Sequence, residues 1–339
     1  MMLSRPLRAA GFAGIAAMAL APCLARAGAD DLQALNFGVI STESSINLKA
    51  AWEPLLADMA QAVGVKVHGF YASDYAAVIE AMHFNKVQIA HFGNASAIQA
   101  VDRADGEIFA QSVAADGNPG YWSLLIVRQD SPIRSLDDLL ASPGKYSFGN
   151  GDPNSTSGFL IPGYYVWARH DIDPRKHFTR MIIANHETNL LAVVNREVDV
   201  ATNNTESLAR FAARSPDKAK LVRAIWRSPL IPLDPIVWRK DLPAAVKQRV
   251  KAFLLSYGVS GPDTEHAKAV LVALRRAPFR ASSDDQLLPL RQVALYRDKL
   301  KIQDDADLSA EDKAKRTAEI DAKLAALSRA LDAAGAKLN

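Results

Sequence analysis

The chain has almost no cysteine. Its single one is Cys23, within the first 27 of 339 residues. A lone cysteine forms no internal disulfide and no cysteine-rich metal site. If the first 27 residues are removed, thiol catalysis is excluded as well.

An excess of charge of one sign is also missing. The sequence has 40 basic and 37 acidic residues, and three of the basic ones lie in the first 27, where there is no acid. The remaining chain therefore carries 37 of each sign. A chain without net charge has no overall field that attracts nucleic acid or a membrane surface, so nucleic-acid binding is not expected.

The N-terminal segment has the features of an export signal. Arg5 and Arg8 precede an apolar run from Ala9 to Leu24, and the small residues Ala25 and Ala27 follow it. The run is shorter than the ~20 apolar residues that a membrane-spanning helix needs. The pattern predicts a signal peptide at 1–27 that is cleaved after export across an inner membrane.

The remaining sequence alternates strand and helix patterns. A strand at Leu35–Ile40 precedes a helix with apolar residues at helical spacing over Ile46–Val63. The same unit recurs as VKVHGFY before 74–84, VQIAHFG before 95–103, KYSFG before 158–169 and TRMIIA before 189–196. This alternation predicts α/β architecture with mainly parallel sheets.

An internal similarity suggests two related halves. FNKVQIAHFGN at 84–94 aligns with VNREVDVATNNT at 194–205 after a one-residue insertion. The alternatives are a repeated βαβ unit in two lobes and a chance similarity between short strand motifs. Two such lobes would direct their strand ends toward a common crevice, where open α/β sheets bind ligands.

The C-terminal sequence predicts a long amphipathic helix. Ser309 and Asp312 have the spacing of a capping box, and Ile320, Leu324, Leu327 and Leu331 follow at helical intervals. The apolar stripe packs on the body of the protein or forms a homodimer contact with a second copy.

The strongest chemical signal is a glycine-rich loop that directly follows a strand. Its sequence GNGDPNSTSG at 149–158 carries adjacent hydroxyls at Ser155, Thr156 and Ser157. Glycines allow a ligand close to the backbone, and the N–H groups of the following helix favour an anion. Because the loop has no lysine or arginine, it predicts an anion that is bound reversibly. It is not a P-loop.

Evidence for an enzyme or a metal centre is weak. The loop lacks the glycine and glutamate of a calcium loop, His186-Glu187 lacks the second histidine of a zinc-protease helix, and no G-x-S-x-G elbow occurs. We therefore predict no catalytic residue, no metal and no cofactor.

Two acidic residues occupy comparable loop positions. Glu206 follows the strand pattern in VDVATNNTE, and Asp234 lies between prolines in SPLIPLDPIVW. Carboxylates opposite an anion site would suit a zwitterion with an ammonium group, although either residue could simply be exposed. His186 is a further candidate for a neutral hydrogen-bonding role, with an exposed turn as the alternative.

Seven segments between Leu35 and Tyr296 resemble the periplasmic phosphonate-binding proteins of ABC import systems. They are NFGVISTES, FNKVQIA, VDRADGEIFAQSVAADGNPGYWSLLIV, FGNGDPNSTSGFLIPGYYV, VDVATNNTESL, WRSPLIPLDPIVWRKDLP and APFRASSDDQL. The resemblance implies the two-lobed periplasmic binding protein fold, type II-like, with lobes joined by a hinge. It places lobe 1 at 31–127 plus 229–296, lobe 2 at 128–228 and a C-terminal helical tail at 297–339.

The resemblance also implies site roles. Phosphonate would be held by Tyr75, Tyr121, Ser155, Thr156 and Ser157. The ammonium of 2-aminoethylphosphonate would be met by His186, Glu206 and Asp234. One departure is that the family often has two large aromatic residues where this chain has His91 and Phe92, which leaves the polarity of the pocket open.

The implied function is capture of a phosphonate in the periplasm and its delivery to an ABC transporter permease in the inner membrane. The alternative in the same class is a receptor for phosphate, phosphite or simple alkylphosphonates. The alternative in another class is a periplasmic phosphoester or phosphonate hydrolase, which would need a metal or an activated nucleophile.

Overall fold

The computed structural model describes residues 33–334. The predicted signal peptide, with Cys23, lies outside the described residues. Within the described part, no helix combines the length and apolar character needed to cross a bilayer.

Thirteen strands form in the described residues. They are β1 (Ala34–Val39), β2 (Lys66–Tyr71), β3 (Ile89–His91), β4 (Gly106–Ala114), β5 (Gly120–Tyr121), β6 (Ser123–Arg128), β7 (Ser147–Gly151), β8 (Arg180–Ala184), β9 (Val200–Asn204), β10 (Val222–Arg227), β11 (Ile231–Pro232), β12 (Pro235–Arg239) and β13 (Arg276–Ala281).

Twelve α-helices lie between and after these strands in the same part of the chain. They are α1 (Ser45–Val63), α2 (Tyr75–His83), α3 (Asn94–Arg103), α4 (Leu136–Leu140), α5 (Pro174–His177), α6 (His186–Val194), α7 (Thr205–Arg214), α8 (Pro216–Ala219), α9 (Ala244–Ser256), α10 (Thr264–Ala273), α11 (Leu288–Asp304) and α12 (Ala310–Ala334). A further helical segment contains π-helical turns at Thr156–Leu160 and Gly163–Trp167.

The two main sheets define two lobes. The sheet of the first lobe has the order β13-β4-β12-β3-β1-β2, and that of the second has the order β10-β6-β9-β7-β8. Apolar clusters cover both faces of each sheet. The two-lobed α/β fold predicted from the sequence is thus confirmed.

The prediction of mainly parallel sheets is wrong, because both sheets are mixed. The strands of the βαβ units are parallel: β1 pairs with β2 and β3, and β7 pairs with β8 and β9. The strands next to the crossings between lobes run antiparallel to their neighbours. A strand that enters from the other lobe needs no crossover helix, so it is free to take the opposite direction.

The two similar sequence segments fold alike. The segments 84–94 and 194–205 contain β3 and β9, and each of these strands lies between an antiparallel strand and a parallel one. Each is preceded by a turn with a left-handed residue, Asn85 (φ 53°) and Arg196 (φ 65°). The shared position and the shared turn support a repeated unit over chance similarity.

Within residues 33–334 the chain crosses between the two main sheets twice. Strand β6 hydrogen-bonds into the second sheet, so the first crossing lies between Ala114 and Ser123. The predicted boundary after residue 127 is therefore too late by the length of β6. The chain returns between Arg227 and Pro235, and the short strands β5 and β11 pair with each other between the two lobes.

The C-terminal part begins earlier than predicted, since α11 starts at Leu288 rather than after residue 296. An apolar cluster joins α11 to both lobes through Leu290 and Val293. Helix α12 packs on α11 and buries Ile320 and Leu324. This is the predicted packing on the body. The homodimer contact stays a prediction.

Candidate ligand-binding site

A cavity of about 430 Å³ lies between the lobes, and several helices begin at it. Tyr75 and His186 are the first residues of α2 and α6, and Glu206 is in the first turn of α7. Gly93 caps α3, and Thr156 starts the first π-helical turn. All five residues line the cavity. Because the positive ends of these helix dipoles converge, the cavity favours an anion.

The three hydroxyls of the glycine-rich loop each accept a hydrogen bond from the protein. Thr156 accepts from the backbone N–H of Ala95 in the other lobe (2.8 Å), and Ser155 accepts from that of Gly158 (3.0 Å). Ser157 accepts from the amide of Asn204 (2.9 Å). A hydroxyl whose oxygen already accepts is best used as a donor. The loop therefore offers three neutral donors to an anion.

The hydrogen-bond network fixes the form of His186. The Asn204 oxygen accepts from the backbone N–H of Ser207 (2.7 Å), so its NH₂ group lies toward the His186 Nε2 atom (3.1 Å). Nε2 must then be the acceptor of a neutral ring. Burial, together with the positive charge of Arg210, lowers the pKa of His186 to about 4, which agrees with this form.

The placement of His186 differs from the predicted grouping. Its Nε2 atom lies 3.4 Å from the hydroxyl of Ser157 and 3.5 Å from that of Ser155. These are the residues predicted at the phosphonate end, whereas His186 is predicted at the ammonium end. Its role toward an ammonium stays a prediction, while its contacts belong to the hydroxyl loop.

The two predicted tyrosines are buried neutral donors. Burial raises the pKa of both Tyr75 and Tyr121. Tyr121 lies on β5 in the first crossing, and its hydroxyl donates to the Asp234 carboxylate (3.2 Å). Tyr121, which is predicted to bind the phosphonate, therefore contacts a residue that is predicted to bind the ammonium.

The carboxylates of Asp234 and Glu206 differ in their environment. Asp234 is buried in the second crossing, and burial together with the negative charge of Glu206 raises its pKa to about 7. Burial alone would raise the pKa of Glu206 as well, but Arg276 and Arg210 hold it below the ordinary value. Glu206 is thus ionised at neutral pH, and Asp234 is close to its titration point.

All eight predicted site residues line this one cavity. That they contact a ligand stays a prediction. The cavity also contains ion-paired residues that the sequence analysis missed, namely Glu43, Arg210, Arg214 and Arg276. Arg275, which is exposed, lines it as well.

The missed residues form ion pairs across the cleft. Arg210 and Arg214 on α7 bind the carboxylate of Glu43 after β1, and Arg276 at the start of β13 binds Glu206. Local sequence offered one signal, since Arg210 follows Glu206 by four residues and so shares its face of α7. For Glu43 and Arg276 only the fold brings the partners together.

His91 is a further polar group in the wall of the cavity. Its ring packs against Trp52 with centroids 4.8 Å apart, and neither ring nitrogen has a hydrogen-bond partner among the described residues. Burial and the nearby charges of Arg276 and Arg210 lower its pKa far below the usual value. His91 is therefore a neutral imidazole.

Glu187 makes a second set of contacts between the lobes. Its carboxylate accepts from the backbone N–H of Ser44 (2.7 Å) and the amide of Asn47 (2.7 Å) at the start of α1. It also pairs with Arg214 of its own lobe (3.1 Å). A carboxylate at a helix N-terminus is stabilised by the helix dipole, so this contact favours the closed arrangement.

Within residues 33–334, no group of three or more histidine, cysteine, aspartate or glutamate side chains is placed to hold a metal ion.

Comparison with known proteins agrees with the anion-binding geometry. The family model described as "ABC transporter, phosphonate, periplasmic substrate-binding protein" matches residues 37–287. The chain belongs to this family. It is the phosphonate-binding component of an ABC importer, its family is periplasmic, and it is not an enzyme.

Two relatives illustrate the range of this family of phosphonate-binding proteins. The phosphonates-binding periplasmic protein of Escherichia coli is 55% identical over 297 residues, which cover 88% of this chain and 86% of the relative. The phosphate-import protein of Mycolicibacterium smegmatis is 28% identical over 209 residues, 59% of this chain and 64% of the relative.

Solved structures show the same fold. The binding component of a phosphonate ABC transporter from Pseudomonas aeruginosa is 50% identical, with a TM-score of 0.86 over 89% of this chain and 99% of that one. A Prochlorococcus marinus protein in complex with methylphosphonate has a TM-score of 0.68 at 18% identity, covering 77% of this chain and 97% of that one, and shares the fold alone.

The first prediction tests the loop. A Cβ atom on Gly151 would lie 2.5 Å from the backbone of Gly158, so Gly151→Ala should displace the hydroxyls and weaken phosphonate binding by about tenfold or more, as expected when a donor to a charged group is lost. Gly163→Ala is the matched control, because its Cβ would meet only the side chain of Arg297 at 3.5 Å. Calorimetric titration of both variants measures the effect, and equal affinities would show that the loop does not hold the ligand.

The second prediction tests the Glu187 contacts. Opening of the cleft would separate Glu187 from Ser44 and Asn47, so Glu187→Gln should speed dissociation of every phosphonate by about three- to tenfold. Trp52 in the cavity wall provides a fluorescence signal for stopped-flow measurement. Glu265→Gln, at an exposed side chain on α10, should leave the rate unchanged. A change confined to one ligand would contradict a role in closure.

Proposed function

We propose that the phosphonate captured by this protein is 2-aminoethylphosphonate or a close aminoalkyl analogue, held with its phosphonate at the hydroxyl loop and its ammonium near Asp234. We further propose that residues 1–27 are a cleaved signal peptide. The observation that carries the ligand proposal is Asp234 itself. In the described part of the chain this buried carboxylate accepts a side-chain hydrogen bond from Tyr121 and forms no ion pair.

The charge of the ligand follows from this arrangement. A buried carboxylate without a cationic partner is costly, and a ligand that carries only negative charge would add repulsion. A ligand ammonium would supply the missing positive charge. The hydroxyls of Ser155, Thr156 and Ser157 supply neutral donors to the other end, so the cavity suits a zwitterion.

A ligand without an amine is the main competing class. A relative is a phosphate-import protein, and a structure with the same fold was solved with methylphosphonate. For such ligands Asp234 would be an unfavourable neighbour unless it were protonated. The comparison of amino and non-amino ligands therefore decides between the two classes.

The third prediction concerns this selectivity. In the wild type, 2-aminoethylphosphonate should bind more tightly than methylphosphonate and phosphate in side-by-side calorimetry. Asp234→Asn removes the charge and keeps the shape, so it should weaken the amino ligand by about 2 to 5 kcal/mol, the usual cost of truncating one partner of a buried charge pair. Methylphosphonate should bind as well as before or better.

The matched control for that variant is Asp217→Asn, at an exposed side chain on α8, which should change neither ligand. Phosphate binding as tight as that of the amino ligand in the wild type would contradict the proposal. Equal losses for both ligands in Asp234→Asn would assign Asp234 to holding the two crossings together.

The fourth prediction is a pH dependence. Because burial and Glu206 raise the pKa of Asp234 to about 7, its carboxylate ionises as the pH rises from 6 to 8. Only the ionised form attracts an ammonium, so the affinity for 2-aminoethylphosphonate should increase over this window more than that for methylphosphonate. The affinity for methylphosphonate follows the ionisation of its own phosphonate group, and ionisation of Asp234 can only oppose its binding. In Asp234→Asn the two pH profiles should become parallel, and parallel profiles in the wild type would contradict the proposal.

A further inference from the structure

The pair of Arg276 and Glu206 joins the two lobes beside the proposed ammonium site. Arg276 begins β13 in the first lobe, and Glu206 lies in the first turn of α7 in the second. Their side chains are 6% and 13% exposed, and both line the ligand cavity. The guanidinium reaches both carboxylate oxygens, with one N–O distance of 3.4 Å and a shorter second contact. Two-point binding of this kind fixes the orientation of the carboxylate.

The charges around this pair are unevenly matched. The charge of Glu206 raises the pKa of Asp234, and Arg276 lowers the pKa of both carboxylates. Arg210 also acts on both carboxylates, but its guanidinium forms its ion pair with Glu43. Arg276 is therefore the cation hydrogen-bonded at this end of the cavity. Its presence decides whether a ligand meets one net negative charge or two.

We propose that Arg276 is a specificity-determining residue, which acts by neutralising Glu206 and so limits how strongly the cavity favours ligands with an amine over ligands without one. The assignment rests on the proposed function, because it takes the carboxylate end to face the ligand amine. Arg276 acts through Glu206 and is a positioning residue. With the arginine in place, Glu206 remains ionised and oriented, while Asp234 alone is left to attract the amine.

The test measures a ratio of affinities. The dissociation constants of 2-aminoethylphosphonate and methylphosphonate are determined by calorimetry for the wild type, Arg276→Met and Arg276→Lys. Arg210 still lowers the pKa of Glu206 in Arg276→Met, so at pH 8 the carboxylate stays ionised. Loss of one positive charge next to this buried site should then raise the preference for the amino ligand by about tenfold. Arg276→Lys keeps the charge, so its ratio should stay within about twofold of the wild type.

A purely structural role gives a different result. If Arg276 served only to hold the lobes together, Arg276→Met would weaken both ligands by the same factor. That outcome would overturn the inference. The proposed function is judged separately, by whether the wild type itself prefers the amino ligand, whereas this inference is judged by the change of the ratio between variants.

A second variant guards against a folding defect. Arg276→Met strands the Glu206 carboxylate in a buried position, so its thermal unfolding is compared with that of the double variant Arg276→Met/Glu206→Gln. The double variant removes both charges together, so the opposite effects of Glu206 and Arg276 on the pKa of Asp234 are lost together. Its ligand ratio should return to within about threefold of the wild-type value, and a ratio that stays raised would contradict action through Glu206.

Discussion

Charge pairing between the lobes is the constraint on which the cavity depends. Glu43 is 4% exposed and Arg276 is 6% exposed, and each has its counter-ion in the opposite lobe. A buried charge without a partner costs several kcal/mol, roughly the range measured when one member of a buried pair is removed. The closed arrangement therefore requires both lobes to supply their charges at matching positions. This requirement restricts the relative position of the two lobes more than apolar contact alone could.

The same constraint explains why the anion end is built from neutral groups. Arg210, Arg214 and Arg276 of the cavity are engaged by Glu43, Glu187 and Glu206, so their net contribution to the field is small. The positive potential comes instead from converging helix N-termini, and hydrogen bonds come from hydroxyls whose oxygens are already occupied. Neutral donors bind an anion with less energy than a free arginine would. Such a site suits a protein that must release its ligand to a permease.

The predictable features were those with a local cause in the sequence. The hydroxyl loop at 149–158 was predicted because glycines and hydroxyls lie side by side after a strand. The similarity of 84–94 and 194–205 was visible in the sequence, but only the fold favours a repeated unit over chance. Sheet direction was missed, since a local pattern does not record from which lobe a strand enters. The pairing of Glu43 with Arg210 was missed as well, because its partners are 167 residues apart. Site residues that act through long-range pairs leave no periodic signal.

The position of Asp234 connects ligand charge to the hinge. Asp234 lies between β11 and β12, and its partner Tyr121 lies on β5, so both belong to the segments that cross between the lobes. On the proposed function, the amine is bound by Asp234, where the chain crosses between the lobes, while the phosphonate also contacts the hydroxyls of Ser155, Thr156 and Ser157 on the second lobe. A ligand that satisfies both ends would then bind more strongly in the closed form than in an open one. A ligand shifts a conformational equilibrium only by its difference in affinity for the two states. Because the two ends of this site lie in different parts of the cleft, a zwitterion should favour closure more than a ligand that has only the phosphonate group.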